Sequence, residues 1–410
     1  MKYLKALSFD DFRSKILSAH NALSAVETIP VTNARGRVLA SAIQSAINVP
    51  HFRRAMRDGY AVRARDTFGA TEERPLILEC VEEIPTGNVP KKALQERQCS
   101  YVATGSMLPE NADGVIMIEF TEANDTQIKI KQAITPDTFI IPVGKDIHAG
   151  EEILPSGSVL TSEKLGVLSA IGVREVIVFR KPRAGVISTG NEVIPSGNLL
   201  QQGKIYDINM ITLSNHLEAA GAIVTNYGII PDNQGQLMRN VEEAITTQDI
   251  VILSGGTSKG KEDLMPQLLQ TTPTVDLVLH GVRIKPGKPI LYARWSGKPV
   301  FVLPGYPTSC VMTYLIFVES VLLKIGHYPP KGERVEEARL VSRVYSELGR
   351  QEFKMVQLRK DELTGQLLAI PIEKGSESIT TLAKADGFFI INEMQTIVEE
   401  GEMVRVHFFQ

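Results

Sequence analysis

The spacing of apolar and polar positions changes several times along the chain, and each change marks a different kind of element. Residues 8–25 open on Ser8, a good capping residue, and carry helical periodicity, which predicts a helix. A short extended stretch over 27–31 follows. Residues 38–46, small and apolar, read as a second helix in a unit that Pro50 ends. From Asp58 to about Ile141 the period shortens. Runs over 76–81, 114–119 and 127–131 alternate with turn residues, the pattern of an inserted all-β domain. Beyond it come loops, one helix over 162–170 and a strand over 176–180.

From Ala184 to about Gly326, strands over 185–188, 223–230 and 250–253 alternate with helices over 209–220, 236–246 and 309–324. That order predicts an open, mostly parallel α/β sheet. After Pro329-Pro330, β segments over 340–345, 387–391 and 403–408 predict a small barrel. No internal repeat or low-complexity tract interrupts the pattern.

At 410 residues the chain exceeds one ordinary core, so two to four domains are expected. An apolar content of 43% with 22% charged residues is that of a folded globular protein rather than a disordered one. A net charge of −3, scattered basic residues and 6% aromatics give no electrostatic or stacking case for nucleic acid. Cys80, Cys99 and Cys310 are widely spaced, with no CxxC or Cys/His cluster for structural zinc, which suits a reducing cytoplasm. Asp10 and Asp11 stand where a signal peptide needs its apolar stretch. The most apolar segment, 310–317, is too short to span a bilayer and reads as a buried helix, so no membrane association is expected.

Candidate chemistry concentrates in three glycine- and proline-punctuated turns between 249 and 310. One strand-like run enters Gly255-Gly-Thr-Ser-Lys-Gly-Lys-Glu-Asp263, another enters Pro304-Gly-Tyr-Pro-Thr-Ser309, and Lys285-Pro-Gly-Lys-Pro289 lies between them. A strand that ends in a Gly-rich turn and opens a helix aims backbone N–H groups at one spot, a ready oxyanion site. The two lysines stand three apart on a proline-stiffened turn that has little entropy left to lose on binding an anion. Thr308 and Ser309 are candidate helix caps. The first turn nearly matches a phosphate-binding P-loop, but Glu262 stands where Ser or Thr would ligate magnesium, which argues against a nucleotide hydrolase. Each turn alone also reads as a plain strand-to-helix or solvated turn; the three together favour a bound tetrahedral anion.

Four aspartates in turn contexts, Asp58, Asp146, Asp232 and Asp263, form a second set. Aspartate is an ordinary turn former, and hard cations beside phosphate oxygens also want a few carboxylates, so periodicity leaves both readings open. The seven histidines are dispersed, with no HExxH and no hydrolase-type Ser-His-Asp motif, and Gly-x-Gly-x-x-Gly is absent.

Several segments, in order, carry a family resemblance. They are Pro50-His-Phe-Arg-Arg-Ala-Met-Arg-Asp-Gly-Tyr-Ala-Val62, Ala103-Thr-Gly-Ser106, Gly144-Lys-Asp-Ile-His-Ala-Gly150, Ser188-Thr-Gly-Asn-Glu192 and Gly203-Lys-Ile-Tyr-Asp-Ile-Asn209. Gly228-Ile-Ile-Pro-Asp232, Ser254-Gly-Gly-Thr-Ser258, the Lys285–Pro289 turn, Leu303-Pro-Gly-Tyr-Pro307, Gly375-Ser376 and Leu382-Ala-Lys-Ala385 complete the set. Across nearly the whole chain this series resembles the molybdopterin molybdenumtransferases (MoeA and the E domain of gephyrin-type proteins). The resemblance implies α/β plus β architecture in an elongated four-domain homodimer. Its parts would be a helical/linker domain from 1–49 and 145–182, an inserted β domain over 50–144, a MogA-like parallel α/β domain over 183–328 and a C-terminal β barrel over 329–410. The active site would lie at the subunit interface. The implied activity is that of a cytoplasmic transferase using Mg2+ or another divalent cation, which inserts molybdenum from molybdate into adenylylated molybdopterin and releases AMP. Contact with a MogA-type adenylyltransferase or molybdoenzyme acceptors follows from the same likeness.

By position, the resemblance makes Asp58, Asp146, Asp232 and Asp263 the catalytic carboxylates, with Asp232 and Asp263 as metal ligands. Thr104, Glu192, Gly256, Ser258, Lys285, Lys288, Pro304, Pro307, Ser309, Arg350 and Ser376 would bind substrate. Three positions depart from the family's pattern: Arg57 beside Asp58, Asn191 where aspartate is frequent, and Lys259 in the Gly-Gly loop. Together they add two positive charges and remove one negative, which is expected to raise anion affinity and lower metal affinity. A tungstate-preferring enzyme and a non-catalytic molybdopterin-binding or scaffold paralogue are the alternatives; the four aspartates favour the enzyme.

Overall fold

The computed structural model describes residues 6–256 and 264–409. They form two compact units, one from residues 6–28, 36–40, 177–256 and 264–409, the other from 29–35 and 41–176. The larger unit begins with helix α1 (Phe9–Ser18). Ser8 caps it by accepting the Asp11 N–H at 3.1 Å, and Asp10 and Asp11 complement the helix dipole. Phe12 and Ile16, four apart, carry one face into the core, where the Phe12 ring centroid lies 4.8 Å from that of Phe317.

The helix stops at Ser18 instead of reaching 25. His20 turns inward, its Nε2 2.6 Å from the Tyr292 hydroxyl, and the Leu23 N–H donates to the Ile325 carbonyl. Tertiary partners here outweigh a propensity difference of a few tenths of a kcal/mol per residue, about the usual spread. Residues 38–46 are not helical either: Leu39 bridges to Val178, and Ile43–Gln44 pairs with Glu152–Leu154.

The smaller unit holds a six-stranded sheet of β1 (Gly59–Val62), β2 (Leu76–Ile84), β3 (Gln98–Val102), β4 (Gly114–Met117), β5 (Thr121–Asn124) and β6 (Gln127–Ile130), in the order β4-β1-β3-β2-β6-β5. The insertion is β, as its alternation predicts. Helix α2 (Ser162–Ala170) has the predicted bounds because Thr161 caps it, accepting from the Lys164 N–H.

The α/β part of the larger unit runs β7 (Arg183–Thr189), α3 (Asn209–Ala219), β8 (Ile223–Ile230), α4 (Gln234–Thr247), β9 (Ile250–Ser254), α5 (Leu264–Thr271), β10 (Val275–His280), β11 (Leu291–Trp295), β12 (Lys298–Leu303) and α6 (Pro307–Ile325). The sheet order is β8-β7-β9-β12-β11-β10; the first four strands are parallel and the last two join antiparallel. Alternate residues serve opposite faces. Ile250 and Ile252 pack with Phe301, Phe317 and Leu217, whereas Val251 and Leu253 pack with Leu237, Val241 and Met265. Both faces are covered by helices, which is why these strands read as unbroken apolar runs. Each such side chain contributes roughly 1.5–3 kcal/mol on burial. Helix α6 is longer than the apolar segment 310–317. By length and composition it is able to cross a bilayer, yet 72% of its apolar window is buried inside the protein, where Met312, Phe317 and Leu322 fill the core.

The chain ends in β13 (Val335–Leu340), β14 (Gln351–Lys360), β15 (Leu367–Pro371), β16 (Gly387–Ile391) and β17 (Met403–Phe408). One end of β14 pairs with β15 and the other with β16, so the order β14-β15-β13-β17-β16 closes into a barrel. Gly387 permits the closure, since a Cβ there would fall on the His407 carbonyl oxygen. The strand expected over 340–345 is split. The Val341 N–H is taken by the Ala369 carbonyl, and Val344–Tyr345 pairs separately with Ile397–Val398.

His20 gives the larger unit an acid sensitivity. Burial, reinforced by nearby Arg294 and Lys324 and opposed by a bond at Gly297 and by Asp276, lowers its pKa from 6.5 to about 4. As pH falls from 6.5 to 4 the unfolded chain takes up a proton that the folded His20 does not, so stability falls through that window and levels off below it. Thermal melts across this range should show a shallower acid limb for His20→Gln than for the wild type. Parallel limbs would assign the acid sensitivity to other groups.

Candidate functional site

Register brings the turns of the α/β sheet to one edge. Ser188 pairs with Ser254, and Ser254 with Leu303, so the carboxyl ends of β7, β9 and β12 are level; Ile230 at the end of β8 pairs with Thr189. The lysine turn reaches this edge differently, by running into an antiparallel strand rather than out of a parallel one. Leu291, the first residue of β11, lies opposite Val302 near the end of β12. Ligands of open α/β sheets bind at this edge.

Gly255 and Gly256 have φ of +99° and +71°, and a Cβ on Gly255 would lie 2.6 Å from the Thr189 hydroxyl. The Gly255 N–H donates to the Leu303 carbonyl at 3.0 Å. Asn209, buried at the start of α3, clasps this turn to the next: its Nδ2 donates to Ser254 Oγ at 2.7 Å and to the Gly305 carbonyl at 2.8 Å. Asp207 is free of that task and accepts the Met210 N–H at 3.1 Å, steadying the first turn of α3. In the sequence Asn209 stands only as the last residue of Gly203-Lys-Ile-Tyr-Asp-Ile-Asn209. An asparagine at the start of an apolar-periodic segment is its one signal in the sequence.

Helix α6 starts otherwise than expected. Tyr306 is its N-cap residue and Pro307 its first helical one, while Thr308 and Ser309 lie buried within the first turn instead of capping it. The Thr308 N–H donates to the Ser376 carbonyl at 3.2 Å and its hydroxyl to the Ser378 carbonyl at 3.4 Å, so Ser376 meets this turn through its backbone. Pro304 is buried beneath the same turn. Gly287, at φ +103°, packs directly on Thr313 of α6, which sets the lysine turn against that helix.

The predicted cations differ in their freedom. Lys285 Nζ lies 3.3 Å from Oε2 of Glu352, a buried carboxylate that also accepts the Ser346 hydroxyl at 2.8 Å. Arg350 pairs with Glu347 at 2.7 Å. Lys288 is exposed, and among the described residues no carboxylate pairs with it. Glu352 had no sequence signal, since its partner is distant in the chain.

Asp232 lies two residues beyond the end of β8 and just before Asn233, which caps α4 by accepting the Gln236 N–H at 3.0 Å. It exchanges two bonds with Asn191. The Asn191 N–H donates to Asp232 Oδ2 and the Asp232 N–H to Asn191 Oδ1, each at 3.2 Å. Glu192 follows, its carbonyl accepting the Ile205 N–H at 2.9 Å. Ser258 and Asp263 lie outside the described residues, as do Lys259 and Glu262. Among the described residues no three His, Cys, Asp or Glu side chains converge.

Asp58, Thr104 and Asp146 belong to the smaller unit. Antiparallel β1 and β3 pair Gly59 with Val102, which brings Asp58, one residue before β1, beside the Ala103-Thr104 exit of β3. The Thr104 N–H and hydroxyl both donate to Asp58 Oδ1, at 2.6 and 2.9 Å, and hold its carboxyl below the usual 3.8. Asp146 is exposed, and its N–H donates to the Val49 carbonyl at 2.9 Å. The ribbon that sets Val49 beside Ile147 sets Ala55 beside Ile140, so Asp58, beyond Ala55, leaves at the end opposite Asp146. The structure thus joins Asp58 to Thr104 and not to Asp146.

Family models match along the chain: the MoeA N-terminal region (domain I and II) over residues 7–172, a probable molybdopterin binding domain over 185–324 and the MoeA C-terminal region (domain IV) over 337–409. The chain is similar to a molybdopterin molybdenumtransferase of Haemophilus influenzae, at 30% identity over 410 residues and 98% of each chain. A molybdopterin molybdenumtransferase of Nostoc sp. is 33% identical over 303 residues, 73% of this chain and 69% of its own. The crystal structure of a molybdopterin biosynthesis MoeA protein from Pyrococcus horikosii matches with a TM-score of 0.87 at 37% identity, over 99% of this chain and 100% of that one.

Removing the Asn209 clasp leaves the Gly305 carbonyl and the Ser254 hydroxyl without their donor. Asn209→Ala should therefore cost about 1–3 kcal/mol in denaturant unfolding, and an unchanged midpoint would mean that the clasp is dispensable. At the other aspartate, Thr104→Ala removes one of the two donors to Asp58. Its carboxyl should titrate at higher pH, as followed by carbon NMR, while the backbone donor keeps part of the depression.

Proposed function

The chain belongs to the molybdopterin molybdenumtransferases, and on that premise we propose that it transfers molybdenum from molybdate to adenylylated molybdopterin with release of AMP. Membership makes it a transferase of molybdenum cofactor biosynthesis. The observation that carries the finer reading is the arrival of Asp232, the Gly255-Gly256 turn and the Lys285–Lys288 turn at one sheet edge. Molybdate is a compact dianion, and Lys288, exposed and with no carboxylate partner among the described residues, offers it a point charge. Lys285, held by Glu352, offers a fixed one.

A divalent cation, Mg2+ or another, would neutralise charge at the phosphoanhydride, with Asp232 as a carboxylate to hold it. An aspartate in place of Asn191 would keep both bonds to Asp232, because its oxygen also accepts the Asp232 N–H. It would add a second negative charge beside the first. Asn191 therefore weakens the site's hold on a cation and favours the anion. The family likeness also supports a cytoplasmic homodimer with the site at the subunit interface, and contact with a MogA-type adenylyltransferase or molybdoenzyme acceptors.

Purified protein incubated with adenylylated molybdopterin, Mg2+ and molybdate should release AMP in a molybdate-dependent way. Bound, intact adenylylated pterin without AMP release would make the protein a binder instead, and faster release with tungstate would reassign the oxyanion. Asp232→Asn and Asp263→Ala should abolish release while the protein stays folded. Asn191→Asp should lower the Mg2+ concentration for half-maximal release by roughly fivefold, the scale of one added partly screened charge.

A further inference from the structure

Away from that chemistry, β2 and β3 carry two cysteines directly opposite one another. The strands run parallel and pair Cys80 with Cys99 in register, so both side chains leave the same face of the sheet. Both enter one apolar cluster with Tyr60, Val62 and Ile116. Cys99 is fully buried there, and Cys80 packs at the rim, half-exposed. A register shift follows Cys80, and its Sγ lies 3.6 Å from the Glu82 carbonyl oxygen. Paired strands lie about 4.8 Å apart, within the Cα separation of roughly 4.4–6.8 Å that a disulfide spans.

The two thiols are not equivalent. Hydrogen bonding from Cys99 draws the Cys80 thiol down to about 6, against its partial burial, while the same contact and deeper burial push Cys99 up. A reachable, acidified thiol beside a buried neutral one is the pairing of an attacking and a resolving cysteine.

We propose that Cys80 and Cys99 form a peroxide-oxidisable pair, in which Cys80 is modified first and Cys99 resolves it into an intrachain disulfide. The Cys80 thiolate attacks one oxygen of hydrogen peroxide. The S–O bond forms as the O–O bond breaks, and the departing hydroxide takes up the proton that Cys80 had released, giving water. The Cys99 sulfur then attacks the sulfenic sulfur; the S–S bond forms, the S–O bond breaks, and the hydroxyl leaves as water with the Cys99 proton. Two thiols give up two electrons and one peroxide becomes two waters.

The test treats the full chain with hydrogen peroxide, blocks remaining thiols with N-ethylmaleimide, digests without reductant and reads the peptides by mass spectrometry. A Cys80–Cys99 cross-linked peptide, lighter by two hydrogens and lost on treatment with a dithiol, is expected, with Cys310 left as a thiol. Cys99→Ser should stop at a sulfenic acid on Cys80 that dimedone labels, and Cys80→Ser should leave Cys99 unlabelled; circular dichroism confirms that both fold. Persistence of both thiols at peroxide concentrations that oxidise glutathione would overturn the proposal. So would a disulfide only between chains, or dimedone label on Cys99 instead of Cys80.

Discussion

The direction of β11 beside β12 decides what the larger unit is able to place together, because it sets the edge from which the lysine turn emerges. Opposed to Val302, Leu291 begins its strand at the carboxyl edge, level with the ends of β7 and β9. A parallel β11 would begin at the other edge, displacing Lys285 and Lys288 by about 17 Å, the length of a five-residue strand. The barrel depends on the same choice. Ile284 and Lys285 pair with Gln351 and Glu352 at the start of β14, and the Ser376 and Ser378 carbonyls reach the first turn of α6.

With the turns assembled, much of their hydrogen-bonding capacity is already used by the fold. The Gly255 N–H is bonded to Leu303 and the Thr308 N–H to Ser376. Freeing either would cost on the order of 1–3 kcal/mol. The expected cradle of helix N-terminal amides is thus partly closed, and recognition of the proposed anion would fall more on side chains. Among these, Lys285 is doubly committed, since Glu352 is a buried carboxylate whose charge needs a partner. Breaking such a pair by removing one member is costly in itself. Lys288 has no carboxylate partner among the described residues, so its substitution would disturb the fold less.

Elements closed by local signals were legible in the sequence. Helix Ser162–Ala170 follows Thr161, strand Ile223–Ile230 sits between Gly221 and Pro231, and Gly387–Ile391 and Met403–Phe408 begin and end as their alternation predicts. Elements closed by distant partners were not. Nothing near residue 18 announces that His20 will find Tyr292, and nothing in 38–46 reveals pairing with Val178 and Glu152–Leu154. The site divides in the same way. The glycine turns, the lysines and Asp232 carry local motifs, whereas Glu352 and the clasp of Asn209 exist only through contacts far along the chain.

Whether an aspartate in a turn serves the fold or a ligand is the ambiguity that sequence left open, and bonding of the two carboxylate oxygens bears on it. Asp66, Asp249 and Asp276 have both oxygens held by arginines, so their charge is consumed by the structure. Asp361 uses one oxygen, but for the N–H groups of Leu363 and Thr364, its own turn. Asp58 and Asp232 differ from both kinds. Each is anchored through one oxygen by a residue far off in sequence, Thr104 or Asn191, and its second oxygen has no partner among the described residues. A carboxylate oriented by one oxygen and open at the other suits a hard cation or a substrate hydroxyl, but Asp113 and Asp386 are anchored in the same way by the distant N–H groups of Ala64 and Leu358, so anchoring alone does not mark a ligand. What sets Asp232 apart is its position, beside the carboxyl edge of the sheet where the glycine and lysine turns also arrive.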